Sequence, residues 1–281
     1  MAVLFVTNAA GEKEPFSYRK IYRSAKRAGA SGKLAKRIAD IVGREAYPGI
    51  KTSELFKRIK ELLHQEIPQA ALRFNIKDAM RKLGPTGFPF EKYIAEILKS
   101  LGYQVKINQF LPGHCISSYE IDFVAEKGKT IYVGECKYKQ AFGERVHYIY
   151  ALANYARFLD ILNGRYFKSN KYRGYEIKTM MATNTKFTST TLDYARCVGI
   201  DLLGWNYPKG RGLEYLIDRE GLYPITILPS LKGYLKDIFI REKIMLVKDV
   251  LKIDPQKFAR NFRIPVSQIK LLVEQAKTLL K

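Results

Sequence analysis

Tyr119-Glu120-Ile121-Asp122-Phe123-Val124-Ala125 and Thr130-Ile131-Tyr132-Val133-Gly134-Glu135-Cys136-Lys137-Tyr138 are the two runs on which the reading of this chain turns. Both are rich in β-branched and aromatic residues, so each is read as a strand, the first from Ser117 to Ala125 and the second over 130–138. Side chains alternate across a strand. Glu120 and Asp122 therefore share one face of the first, and Glu135 and Lys137 share one face of the second. Cys136 points the other way, with Tyr132 and Gly134. A strand as apolar as the second belongs inside a sheet, where a Glu and a Lys are costly to bury unless paired or metal-bound.

If the two strands are neighbours, Asp122 and Glu135 meet, with Lys137 beside them. Two carboxylates this close repel, and a hard divalent cation with oxygen ligands relieves the repulsion. Such a cation lowers the pKa of a bound water and neutralises charge developing on a phosphodiester. A lysine beside it orients the water and stabilises that charge. These are the parts that hydrolysis of a nucleic-acid backbone needs. A solvated strand end carrying a charged pair is the plainer alternative.

The surrounding sequence extends the pattern to helix, strand, strand, strand, helix, strand, helix, strand. A helix from about Phe90 to Leu101 has Phe90, Ile94, Ile97 and Leu101 on its apolar face. Glu91 lies in line with Ala95 and Leu98, although a first-turn Glu is also what the helix dipole favours. Tyr103–Ile107 is a strand and Val146–Leu162 a long helix rich in Tyr, Ala and Leu. In the polar segment 163–175, Arg165, Lys168, Lys171 and Arg173 alternate with Tyr166, Phe167, Tyr172 and Tyr175. Such a segment either meets phosphates and bases or is a surface loop. Residues 177–183 form a strand, a helix starts at the Thr/Ser cluster within 184–197, and Ile200–Trp205 is the last parallel strand.

Gly87-Phe88-x-Phe90-Glu91, Glu120-Ile121-Asp122 and Val133-Gly134-Glu135-Cys136-Lys137 resemble the PD-(D/E)XK nuclease superfamily. The likeness is greatest to Mrr-type restriction endonucleases and Holliday-junction resolvases. It implies an α/β fold, a restriction-endonuclease-like αβββαβ core with a central mixed sheet. It also implies that Asp122 and Glu135 are metal ligands, with the backbone carbonyl of Cys136 as a further ligand. Lys137 would be the catalytic lysine and Glu91 an auxiliary carboxylate. The expected cofactor is Mg²⁺ or Mn²⁺ and the expected activity DNA endonuclease, in restriction or repair. Ile121 stands where that superfamily has a proline.

The Gly/Pro cluster Leu83-Gly84-Pro85-Thr86-Gly87 and Leu228-Pro229-Ser230 divide the chain into segments 1–84, 85–228 and 229–281. The first carries a short strand near residues 3–7, a turn at Gly11 and three helical rows: Ile21/Ala25/Ala28, Leu34/Ile38/Ile41/Val42 and Leu55/Ile59/Leu62/Leu63. Thr52-Ser53 read as caps of the third helix, whose free N–H groups favour an anion. Val6-Thr7, Gly11, Lys20-Ile21 and Gly49-Ile50-Lys51-Thr52-Ser53 resemble the ATP-cone, a small nucleotide-binding regulatory domain. The resemblance implies a pocket lined by Val6, Glu14, Lys20, Ile21 and Thr52 that takes ATP or dATP, with Lys20 facing phosphate. Asn8-Ala9 replace that family's basic pair and Phe56 a common His, which removes two phosphate-facing cations. The last segment reads as helices over 231–251 and 264–280, similar to a helix-hairpin-helix module but with no Gly between Leu235 and Lys281. A packing or dimerisation role is the alternative.

The chain has 281 residues, 49 Lys+Arg against 27 Asp+Glu, a net charge of +22 and 47% hydrophobic residues. Ample apolar content excludes a disordered basic tail, and no run approaches the ~20 apolar residues of a membrane helix. Three scattered cysteines point to a reduced, cytoplasmic protein. His114-Cys115 has no second pair at zinc spacing. The charge calls for a polyanion, DNA first. By segment it is +10, +5 and +7, so the middle one, although the largest, is the least basic. The expected partners are DNA, a nucleotide effector and a second copy of the chain in a dimer. The alternatives are a non-catalytic DNA-binding protein that keeps the nuclease fold, and a nucleotide-sensing regulator.

Overall fold

The computed structural model describes residues 3–9, 11–84, 88–141 and 143–280. Pro85, Thr86 and Gly87, part of the Gly/Pro cluster and of the motif before Glu91, lie outside the described residues. The chain opens with an antiparallel pair, β1 (Phe5–Thr7) and β2 (Lys13–Pro15). Helices α1 (Tyr18–Arg27), α2 (Gly32–Glu45), α3 (Thr52–Glu66), α4 (Pro68–Phe74), α5 (Ile76–Arg81) and α6 (Phe88–Ser100) follow. Strands β3 (Gln104–Leu111), β4 (Tyr119–Lys127), β5 (Thr130–Lys137) and β6 (Arg145–Val146) lead to α7 (Tyr148–Asn163). Then come β7 (Glu176–Thr183), β8 (Lys186–Phe187), α8 (Ser189–Val198) and β9 (Ile200–Leu203). The chain closes with α9 (Leu213–Arg219), α10 (Gly233–Arg241), α11 (Val247–Val250), α12 (Pro255–Phe262) and α13 (Val266–Leu280).

The centre is a mixed five-stranded sheet in the order β3-β4-β5-β7-β9. Its first three strands run antiparallel, whereas β5, β7 and β9 are parallel, so β5 is where the direction of pairing changes. β6 and β8 pair separately. Apolar residues on the two faces of β4 and β5 enter different cores. Phe123 and Cys136 pack with Phe90 and Ile94 of α6, while Val133 packs with Phe158 and Ile161 of α7. The sheet is thus covered on both sides, which is what the near-continuous apolar run of β5 requires. Gly134 permits the closest approach: a Cβ there would lie 2.0 Å from the Phe123 ring.

The packing cuts the chain at different points from the three sequence segments. One core joins β1 with α1–α4, from Val6 to Ala71. A second runs from Ile76 of α5 through α6 and the sheet to Leu279 of α13, so α5 and the last helices share the core of the sheet.

Three local readings are corrected, and one segment shows contacts of its own. Thr52 is the first helical residue of α3, not its cap; Lys51 is the cap and makes no side-chain cap bond. The strand read as 103–107 continues to Leu111 because it pairs with β4 along its length. The helix read over 231–251 is broken after Arg241. Lys243 takes a positive φ of 61° there, and backbone bonds from Ile225 to Met245 and from Val247 to Tyr223 hold the connecting segment extended. The aromatic residues of 163–175 stack on one another. Tyr166, Phe167, Tyr172 and Tyr175 form one cluster over the α7 core, so the buried ring of Phe167 is committed to packing. Among the described residues, no helix is long and apolar enough to cross a membrane.

Candidate active site

β4 pairs with β5 as far as Phe123 and Gly134, and Asp122 and Glu135 are the residues just beyond that pair on the two strands. The backbone N–H of Cys136 donates to Asp122 Oδ2 at 2.6 Å, fixing that carboxylate against β5. Glu135 is only 6% exposed and forms ion pairs with Lys137 on one carboxylate oxygen and Arg157 on the other. Lys137 is one pleat repeat further along β5, and its ammonium lies 5.5 Å from the ring centre of Tyr150 on α7. The thiol of Cys136 faces the core, and burial holds its pKa well above the ordinary value.

Glu91, in the first turn of α6, completes the acidic group. Burial raises its carboxyl to about 7, with the charges of Asp122, Glu120 and Glu135 adding to the shift. Burial likewise pushes Asp122 up to about 6, with Glu135 the next cause, and the Cys136 N–H only partly offsets it. The sheet therefore gathers more negative charge than Lys137 and Arg157 neutralise. Shared, raised carboxyl pKa values are the mark of a site built for a proton or a cation.

Three residues of this site were not singled out in the sequence. Arg157 of α7 pairs with Glu135 and also reaches the carbonyl of Glu120 at 3.4 Å. Asn154, one turn earlier and buried, donates to Thr179 Oγ1 at 2.9 Å, and Thr179 donates to the Val133 carbonyl at 3.0 Å. That chain of bonds pins α7 to β5 and β7 and so holds Arg157 over the site. Asn184 accepts from the Lys139 N–H and donates to the Lys139 carbonyl, at 2.8 and 2.7 Å, fixing the backbone just beyond Lys137. An Asn and an Arg at i, i+3 in a helix that is aliphatic and aromatic from Tyr148 to Leu159 apart from them was the available signal.

The hard oxygen donors are Asp122, Glu135 and the backbone carbonyl of Cys136. Two carboxylates suit Mg²⁺, which keeps several waters and needs only one or two protein carboxylates. No group of three or more His, Cys, Asp or Glu stands in metal-holding geometry among the described residues. Because Glu135 is held by two cationic side chains, a metal ion would have to take over one of its oxygens.

The remaining expected residues fall elsewhere. Arg165, Lys168, Lys171 and Arg173 are exposed. The chain rejoins the sheet at Glu176, whose N–H bonds to the Lys129 carbonyl before the start of β5. That end is separated from Lys137 by seven strand residues, about 23 Å. Lys171 and Arg173, which immediately precede it, therefore lie at the far end of the sheet from the carboxylates. Val6, Glu14, Lys20, Ile21 and Thr52 do converge, around a cavity of about 220 Å³ in the N-terminal lobe. Lys20 is ion-paired to Glu14 at 3.1 Å, and Phe56 stacks on Phe74 at 4.5 Å in the cavity wall.

Residues 223–280 match the family described as AF1548-like, C-terminal. A protein of Archaeoglobus fulgidus described as uncharacterized is 33% identical over 184 residues, covering 66% of this chain and 98% of its own. The crystal structure of a protein of unknown function, AF1548, matches with a TM-score of 0.58 at 31% identity, covering 69% of this chain and 98% of that one.

Proposed function

The chain belongs to the AF1548-like family, and from that premise we propose that it is a metal-dependent DNA endonuclease with a PD-(D/E)XK-type site. The observation that carries the proposal is the placement of Asp122 and Glu135 just beyond the Phe123–Gly134 pair, with the Cys136 N–H on Asp122 and Lys137 on Glu135. A bound Mg²⁺ or Mn²⁺ supplies a Lewis acid and a water of lowered pKa. Asp122, Glu135 and the Cys136 carbonyl hold it. Lys137, whose partner Glu135 is also held by Arg157, orients the attacking water and stabilises charge on the phosphoryl oxygens. Glu91, poised near neutrality, takes or returns a proton at the cluster.

The test is cleavage of plasmid, single-stranded and branched DNA with Mg²⁺ and with Mn²⁺. Activity is expected on at least one form and is lost in Asp122→Ala and Lys137→Ala. No cleavage of any form, or cleavage undiminished in both variants, overturns the proposal.

A second reading, a DNA-binding protein without turnover, has one observation in its favour: the two cationic partners already satisfy Glu135. It requires that Mn²⁺ fail to bind the intact chain. The convergence of Val6, Glu14, Lys20, Ile21 and Thr52 supports a nucleotide effector in the N-terminal lobe. Calorimetric titration with ATP and dATP tests it. Heat that vanishes in Lys20→Ala is expected, and no heat in the intact chain refutes it. Sizing the chain with and without nucleotide tests the dimer.

A further inference from the structure

The last two helices carry a second charged surface that the carboxylate site does not use. Asp254 caps α12, its carboxylate accepting from the Lys257 N–H at 2.8 Å. α12 stops at Arg263, whose φ of 53° and ψ of 45° place it in the left-handed conformation that glycine normally supplies at a helix end. Three residues, Arg263 to Pro265, then join α12 to α13. The Ile264 N–H returns to the Ala259 carbonyl at 2.9 Å, and Ala259, Ile264, Ile269 and Leu272 are buried at the junction. A short helix, a three-residue turn and a longer helix about 22 Å in length that leaves its N-terminal outer face open make up a helix-turn-helix unit.

The open face has a definite chemistry. Lys257, Arg260 and Arg263 are exposed on α12 and the turn, and Ser267, Lys270 and Leu271 on the first turns of α13. No acidic residue occurs between Asp254 and Glu274. Just outside that stretch, Lys252 and Lys277 are each ion-paired at 2.8 Å, to Asp249 and Glu274. Inside it, Lys257, Arg260, Arg263 and Lys270 form no ion pair among the described residues. Unneutralised cations on one face of a helical pair fit a polyanion. Leu271, 50% exposed, adds an apolar contact in the midst of them.

We propose that the α12–turn–α13 unit is a duplex-DNA-binding surface. The first turns of α13 lie in the major groove, and Lys257, Arg260 and Arg263 lie along the backbone. The groove, about 12 Å wide, admits an α-helix. Ser267 and Lys270 supply hydrogen-bond donors to base edges, and Leu271 packs on thymine methyl groups. The basic side chains of α12 and the turn fix the register on the phosphates. This surface is separate from Asp122 and Glu135 and does not depend on their chemistry.

The test is fluorescence anisotropy of a labelled duplex with the full chain in EDTA, from about 50 to 200 mM salt, where phosphate contacts set the slope. The triple variant Lys257→Ala/Arg260→Ala/Arg263→Gly keeps the left-handed turn and removes three cations. Its affinity is expected to fall at least tenfold, and its log–log salt slope to shrink by about 2 to 3. Ser267→Ala/Lys270→Ala is expected to weaken binding with a smaller change in slope. Unchanged affinity and slope in the triple variant overturn the inference, as does single-stranded DNA bound as tightly as duplex. Loss of a dimer in Leu271→Glu with duplex affinity intact assigns the face to a second copy and also overturns it. A chain that binds through this face yet cuts nothing removes the nuclease reading and leaves this one standing. A triple variant that binds and cuts like the parent does the reverse.

Discussion

Asp122→Asn tests whether the carboxylate cluster is built around a cation. The Asn side chain keeps an oxygen for the Cys136 N–H, which now meets Asp122 at 2.6 Å, so the substitution removes charge with little change of shape. The Asp122 carboxyl is raised from its ordinary 3.8 to about 6. An acid whose folded pKa is raised binds its proton more tightly folded than unfolded. Its favourable contribution is therefore complete at low pH and is lost as pH climbs from 3.8 to 6. Above that window the folded chain carries the whole cost of the buried charge, on the order of 3 kcal/mol at about 1.4 kcal/mol for each tenfold change. In EDTA at pH 7.5, urea unfolding is expected to find Asp122→Asn more stable than the parent by ~2–3 kcal/mol. At pH 4 the gap shrinks below ~1 kcal/mol, because the folded Asp122 is then almost wholly protonated and the buried charge is gone. Added Mg²⁺ narrows the gap, stabilising the parent by ~1.4 kcal/mol at ten times its dissociation constant and leaving the variant unmoved. A variant less stable than the parent in EDTA at pH 7.5, or Mg²⁺ stabilising both equally, refutes the reasoning.

Three further outcomes are expected. Lys137→Ala abolishes cleavage, by at least ~100-fold for a group acting on the transition state, while duplex affinity in EDTA stays within about twofold. Gly134→Ala, whose Cβ would sit 2.0 Å from the Phe123 ring, forces β4 and β5 apart and costs ~1–3 kcal/mol in urea unfolding. Arg157→Ala leaves the buried Glu135 with Lys137 as its one remaining ion-pair partner and destabilises the metal-free chain by ~3 kcal/mol. Mg²⁺ recovers part of that loss, measured as a larger metal-induced rise in melting temperature than in the parent.

Alternation along two strands was enough to bring Asp122, Glu135 and Lys137 together, because the period of a strand is short and β5 is apolar from Ile131 to Gly134. Arg157 was not legible. Its contact with Glu135 depends on how α7 crosses the sheet, and that depends on the Asn154–Thr179–Val133 bonds, a tertiary arrangement with no local pattern. One interruption of a helix was hidden for a different reason, and one turn lacked its usual mark. Lys243 and Arg263 hold positive φ at positions where the sequence offers neither Gly nor Asn. The first made 231–251 read as one helix. The second deprived the α12–α13 turn of its usual mark, and the missing Gly pointed away from a nucleic-acid contact that the exposed cations support. The aromatic residues of 163–175 left two readings open, since their spacing suits base stacking equally well as the cluster they form with each other.

The distribution of charge decides how the two surfaces work together. Asp122, Glu120 and Glu135 lie close enough to raise the pKa of Glu91, and Glu135 that of Asp122, against Lys137 and Arg157 on the other side of the balance. With all four acids ionised the cluster is negative, so a phosphodiester approaching it alone is repelled. A divalent cation removes that repulsion. On the proposed function, the approach of DNA to the site is coupled to cation binding, each raising the other's affinity, as linkage requires. The proposed binding at the α12–α13 face carries no such coupling, because no acidic residue occurs between Asp254 and Glu274. A metal-free chain should thus hold duplex through the helices while its scissile phosphate stays out of the cluster. In cation titrations at fixed duplex concentration, the affinity of the intact chain rises with Ca²⁺ or Mg²⁺ at constant ionic strength, whereas that of Asp122→Asn does not. Identical cation dependence in the two would mean that the cluster and the DNA never meet.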